Sequence, residues 1–297
     1  MAIMTSQPRL GAPAIESKHR SELENAWRRF RANRVALVGL TILIAIILLA
    51  IFAPVLAPYD PINDMDTSLR GCPPSPEHLF GCDHLGRDLL SRVIYGSRIA
   101  LIAGIGATII SVCIGVVLGA LAGFLGGWTD SVLSRIIDTL MAFPIIALLI
   151  VLAAVMGPSL VTTVVVIGIT VWSRYARVVR ADVLSLRERD FIVAAYASGV
   201  RNWRIIWRHL VPNVMGPVIV LASLGIGSII ILEAALSFLG LGVRPPTPSW
   251  GAILSDGRAY ILRYPHIAFF PGVMIVITVL AFNFVGDGLR DALDPKD

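Results

Sequence analysis

The chain has 297 residues, 56% of them hydrophobic and only 15% charged, with a net charge of +5. Soluble domains carry about a quarter charged residues, so this composition excludes an ordinary soluble enzyme and specifies an integral membrane protein. The small positive balance reads as orientation bias in lipid, not as a nucleic-acid surface.

Residues 1–34 form a polar tail without the apolar core of a secretory signal. A first span is expected over Val35–Ala57, which holds no charge. Residues 58–98 then make an outer loop, proline-rich at first. It closes in an amphipathic helix with Leu89, Leu90, Val93 and Ile94 on one side and Asp88 spaced to pair with Arg92. Cys72 and Cys82 lie ten positions apart in this loop, and in an oxidising compartment they either form a disulfide or stay free thiols. Even with His78 and His84 nearby, two cysteines do not make a zinc site, so no metal is expected.

The core, 99–286, opens with an uncharged second span, Ile99–Leu121. Thr139–Ser173 is also uncharged, but at roughly 1.5 Å per residue it is too long for one crossing of about 30 Å. Gly157-Pro158 splits it into two spans joined by a hairpin. Arg135 and Asp138 are spaced as an i,i+3 pair at the entrance to the first. The second continues past Arg174, whose head snorkels or faces protein. Val214–Val243 is apolar except for Glu233, and Ile267–Gly286 makes the last crossing before a tail at 287–297. The expected fold is all-α and membrane-integral, with six transmembrane helices and both termini on one side. Eighteen basic residues fall on that side and seven on the other, which makes the terminal face cytoplasmic.

The cytoplasmic loop 187–213 reads RERDFIVAAYASGVRNWRIIWRHLVPN. Ser185 with Glu188 fits a capping box, with Asp190 as a rival helix start. Gly199 breaks the helix and Asn202 is placed to cap a second one. There Trp203, Ile206, Trp207 and Leu210 form an apolar stripe, with Arg204 and Arg208 on the other face. Pro212 interrupts before the next span. The bland alternative is a solvated connection whose arginines hold lipid phosphates.

Glu233 is the one acid well inside a span, where ionisable groups are costly. It either lines a translocation path or gate, or braces a neighbouring helix. The outer stretch Pro245 to Tyr260 either meets an outside partner or caps the bundle. No Ser/His/Asp set or paired carboxylates mark a catalytic site. The only lysines, Lys18 and Lys296, follow no glycine-rich phosphate loop, so no ATPase site of that type is expected.

In the loop, Ala194, Ala195, Gly199 and Pro212 fall in register with the coupling motif of permease subunits in ABC importers. That motif is Glu-Ala-Ala, three residues, Gly, nine residues, Ile, any residue, Leu-Pro. Val193 stands at the glutamate position, His209 at the isoleucine and Val211 at the leucine. His78–Arg92, Glu233–Gly242, Pro245–Gly251 and Gly286–Pro295 resemble the C-type permease of the dipeptide/oligopeptide (peptide/nickel) transport family. With the loop they span 35–295.

The resemblance implies a type I importer permease fold in a bacterial cytoplasmic membrane. It implies a heterodimer with a homologous B-type permease, two cytosolic ATPase subunits that hold ATP and Mg, and an extracytoplasmic binding protein. The chain itself would need no cofactor and bind no nucleic acid. Dipeptides or short oligopeptides would be imported by alternating access; a nickel complex, glutathione or another peptide-like solute is the alternative, and an autonomous channel the remoter one. Coupling to the ATPases would fall to Asp190, Phe191, Val193, Ala194, Ala195, Gly199, Arg201, Ile206 and Pro212. Asp190–Arg201 would dock on an ATPase and Trp203–Leu210 would act as the lever.

Overall fold

The computed structural model describes residues 22–293, so the ends of both expected tails lie outside the described residues. Helix α1 (Glu22–Ala32) precedes α2 (Arg34–Ile51), and Asn33 joins them. The Asn33 Oδ1 accepts from the Val35 and Ala36 amides, and its Nδ2 donates to Asp291 at 3.2 Å. Phe30 is buried with Ala36 and Ala292, which holds α1 against the last helix. The first span does not run unbroken to Ala57. It stops at Phe52 and restarts as a short α3 (Ala53–Leu56), because Pro54 supplies no amide to continue the ladder. A 3-10 turn, Thr67–Leu69, follows in the loop 58–88. There the Ser68 hydroxyl and amide both donate to Asp66 and hold its carboxyl below the usual carboxylate range.

Helix α4 (Leu89–Leu125) joins the expected amphipathic segment and the second span into one rod of 37 residues, about 55 Å long. Its first turns are core and not surface, because Leu89 and Val93 pack against Ile253 and Ile267. The expected Asp88–Arg92 pair does not form. Asp88 caps α4 through the Ser91 amide and accepts from Ser91 Oγ, with His78 Nδ1 at 2.9 Å. Arg92 instead lies 3.4 Å from Asp83 and 3.6 Å from Asp256.

The third expected crossing is a bent pair. Helices α5 (Gly127–Ala142) and α6 (Ile145–Met156) meet at 94°, since Pro144 cannot donate into the preceding turn and forces Phe143 out of helical backbone. Gly157, at φ +82°, then turns the chain into α7 (Leu160–Leu186). Asp138 does not pair with Arg135: it accepts from Arg177 on α7 at 2.6 Å, while Arg180 donates to Asp130. Next come α8 (Asp190–Ala197), α9 (Asn202–Ile205), a π-helical turn (Ile206–Leu210) and α10 (Val211–Phe238). The chain ends with α11 (Trp250–Arg258) and α12 (His266–Leu293), so residues 287–293 of the expected tail are helix.

Among the described residues four stretches are long and apolar enough to cross a membrane, α2, α4, Asn202–Phe238 and α12; the bent α5–α6 pair counts as a fifth where its two helices make one span. At 27 residues, about 40 Å, α7 has the length for a sixth crossing, its apolar character diluted by Arg174, Arg177 and Arg180. The chain is an all-α, multi-pass membrane protein.

The most extensive helix contact is between α4 and α7. Gly115, Gly119 and Gly123 form a stripe on α4, and a Cβ at Gly119 would stand 2.6 Å from the Ala176 carbonyl oxygen. Lipid supplies no hydrophobic drive between helices, so close backbone approach through small residues does the holding.

At the end where α4 begins, the loop 58–88 and α11 make a cap. Cys72 and Cys82 are joined in a disulfide, with 4.9 Å between their Cα atoms. Phe80 stacks on Phe270 at 3.9 Å, and Trp250 Nε1 donates to the Val93 carbonyl. Asp83, Arg87 and Arg92 are buried together beneath this cap.

Candidate functional site

At the other end of α4 the chain forms an elbow from α8 to α10. Helix α8 protrudes: Asp190, Phe191, Val193, Ala194 and Tyr196 are exposed, and Ala195 is half-buried. Ile192, only 2% exposed, is the side chain that anchors it. It enters one apolar cluster with Val116 and Ala120 of α4, Val179 and Val183 of α7, and Ile205, Ile206 and Leu210 of the elbow. A single cluster thus joins the protruding helix to three of the bundle's long helices, because Val214 and Val218 of α10 belong to it too. A groove of about 730 Å³ runs beside α8, walled by Phe124, Arg187, Ile192, Val193, Tyr196 and Asn202.

The backbone explains the elbow's shape. Asp190 opens α8, and no side chain caps it; the Ser185–Glu188 box is not used, since α7 runs through to Leu186. Gly199 has φ +74°, and a Cβ there would meet nothing within 4 Å, so glycine is required for conformation and not for space. The Arg201 carbonyl accepts from the Arg204 and Ile205 amides and so heads α9; Asn202 is its first residue and not its cap.

Pro212 does not interrupt the chain. The turn before it widens, with the Val211 amide reaching the Ile206 carbonyl, and this π-turn lets one continuous stretch run from Asn202 to Phe238. The segment Trp203–Leu210, expected to act as a lever, is therefore continuous with α10.

The stripe expected on it is rotated. Ile205, Ile206 and Leu210 are buried, Trp207 is half-buried, and Trp203 is 67% exposed, its ring 5.2 Å from that of Trp207. Ile192 and Ile205 are the residues that sequence reasoning missed. The signal for Ile192 is weak because α8 is apolar almost throughout and shows no clear face, and Ile205 falls outside the spacing of the expected stripe.

Glu233 lies far from the elbow, toward the cap. It is 1% exposed and its Oε1 accepts from Ser237 Oγ at 2.7 Å, while Oε2 has no hydrogen-bond partner among the described residues. Its carboxylate is thus enclosed by the chain's own helices. Among the described residues no group of His, Cys, Asp and Glu is arranged to hold a metal.

Residues 115–296, which include the whole elbow, match the family described as binding-protein-dependent transport system inner membrane component. The chain belongs to that family of ABC importer permeases. Residues 21–74 of the permease also match the N-terminal transmembrane domain of oligopeptide transport permease C. It is 44% identical to a dipeptide transport system permease protein of Alkalihalophilus pseudofirmus, over 99% of this chain and 96% of that protein. It is 46% identical to glutathione transport system permease proteins of Escherichia coli and Shigella boydii, over 91% of this chain and 89% of each of them.

Proposed function

We propose that this permease passes dipeptides or other short peptides inward across the bacterial cytoplasmic membrane, driven by ATPase subunits that grip α8. The observation that carries the reading is the shared apolar cluster around Ile192. A push on the protruding α8 cannot stay local, because the same side chains hold α4, α7 and α10. Val193 replaces the motif glutamate on the exposed side of α8, so the grip at that position is apolar and not ionic.

In this reading the elbow and both termini face the cytoplasm, as the basic residues favour. Two ATPase subunits carry ATP and Mg, a homologous B-type permease completes the path, and a binding protein delivers its load to the cap made by residues 58–88 and α11. Glu233 is a brace within the bundle and not a path-lining group, since its carboxylate is enclosed. The peptide class rests on the dipeptide and glutathione permeases that the chain resembles; a glutathione-like tripeptide is the second reading.

The test is reconstitution of this chain with its co-expressed permease and ATPases in liposomes, given binding protein loaded with radiolabelled alanyl-alanine. Uptake is expected only with ATP and with every subunit present. Uptake by this chain alone, or without ATP, would overturn the proposal.

A further inference from the structure

On α7, Arg177 is bonded to Asp138 and Arg180 to Asp130, and Arg187 just past its end donates to the Gly123 carbonyl. Arg174 differs: it has neither hydrogen bond nor ion pair among the described residues, although it stands deepest in the span. From Leu160 it lies about 21 Å along the axis, short of the about 30 Å of hydrocarbon. Arg174 is exposed on the helix, and facing lipid there would be costly, so its guanidinium either snorkels toward the near boundary or takes water, an anion or a protein partner.

The cavity it lines is about 440 Å³ and opens between α5, α7 and α10. Met141 and Ile231 give it apolar walls, and Thr170, Ser173 and Ser228 put hydroxyl-bearing side chains around the same space. Arg174 is the one charged residue in that lining, and Glu233 is not part of it. A mostly apolar hollow with a few converging polar groups has the form of a small-ligand site.

We infer that Arg174 is a substrate-binding residue of the translocation path, receiving the terminal carboxylate of the passing peptide while the apolar walls accept its side chains. The inference rests on the peptide-import reading above. Every unmodified peptide ends in a carboxylate, whatever its sequence, and the guanidinium fork matches that group with two parallel hydrogen bonds. One fixed cation therefore suits a conduit that must pass many peptides. The hydroxyls of Ser173 and Ser228 offer neutral contacts that do not trap the load.

The assembled transporter in liposomes, with alanyl-alanine on its binding protein, provides the test. Arg174→Gln is expected to lower import per ATP hydrolysed by about tenfold or more, the scale of a lost charge-assisted hydrogen bond. Arg174→Lys is expected to lose less, and binding-protein-stimulated ATP hydrolysis and complex yield are expected to hold. In an Arg174→Cys variant that also carries Cys113→Ala, a cationic methanethiosulfonate is expected to restore import and an anionic one is not. Unchanged import in Arg174→Gln would overturn the inference. So would a cysteine inert to both reagents, which would place position 174 away from the water path. Parallel loss of complex yield and ATP hydrolysis would show instead that Arg174 pairs with an acid of the second permease, and would overturn it as well. Absence of import by the wild-type complex would remove the peptide reading and this inference together; wild-type import beside an unaffected Arg174→Gln removes this inference alone.

Discussion

Ile192→Ala is expected to leave the importer assembled and nearly silent. Truncating a buried isoleucine removes about 2–5 kcal/mol of packing, and here that packing is what seats an eight-residue helix against the bundle. Two-state hinges differ by only a few kcal/mol between states, so a loss of this size is enough to detach the motion of α8 from α4, α7 and α10. ATPase subunits are expected to co-purify as before, because the exposed face of α8 is untouched, while import falls by about tenfold or more. Phe191→Ala and Tyr196→Ala on that exposed face are expected to give the reverse pattern, with weaker retention of the ATPases. Measuring co-purification and import on the same preparations separates grip from transmission. Normal import by Ile192→Ala would show that the cluster does not transmit force.

Gly119→Leu should prevent the permease from accumulating in the membrane. A Cβ alone at that position would lie 2.6 Å from the Ala176 carbonyl oxygen and 2.9 Å from Val179 Cβ, and backbone cannot move aside as a flexible side chain does. Overpacking a tight contact costs about 1–3 kcal/mol even where side chains yield, and here α4 and α7 would have to separate. Gly216→Ala is the control. A Cβ there meets nothing within 4 Å, so the substitution is expected to be tolerated, gaining up to about 1 kcal/mol of helix propensity. Membrane-fraction yield and thermal stability in detergent check both. Equal yields of Gly119→Leu and wild type would contradict the packing described for α4 and α7.

What the sequence made legible followed from two kinds of signal. Long uncharged runs marked the spans, and the register of Ala194, Ala195, Gly199 and Pro212 marked the elbow. Both depend on residues near one another in the chain. What stayed hidden depends on tertiary neighbours. Spacing pairs Asp138 with Arg135 one helical turn away, but its partner Arg177 comes from another helix. Leu89 and Val93 looked like the face of a surface helix because Ile253 and Ile267, which cover them, are remote in sequence. The i, i+3, i+4, i+7 spacing puts Trp203 in an apolar stripe, yet with Ile205 buried its ring lies outward. The bend at Phe143-Pro144 has its proline as a signal, masked by the uninterrupted apolar run around it. Glu233 was conspicuous as an isolated acid, whereas Arg174, the charge that does line a cavity, was hidden among its neighbouring arginines.

In the proposed function, force enters this molecule through α8. The most direct measurement of this replaces residues 190–197 with an equally long Gly-Ser segment and follows the ATPases and alanyl-alanine import in the reconstituted complex. The expected result is a permease that inserts in the membrane normally, keeps its partner permease, loses the ATPases and imports nothing. Retained ATPases with import at the wild-type rate would contradict it.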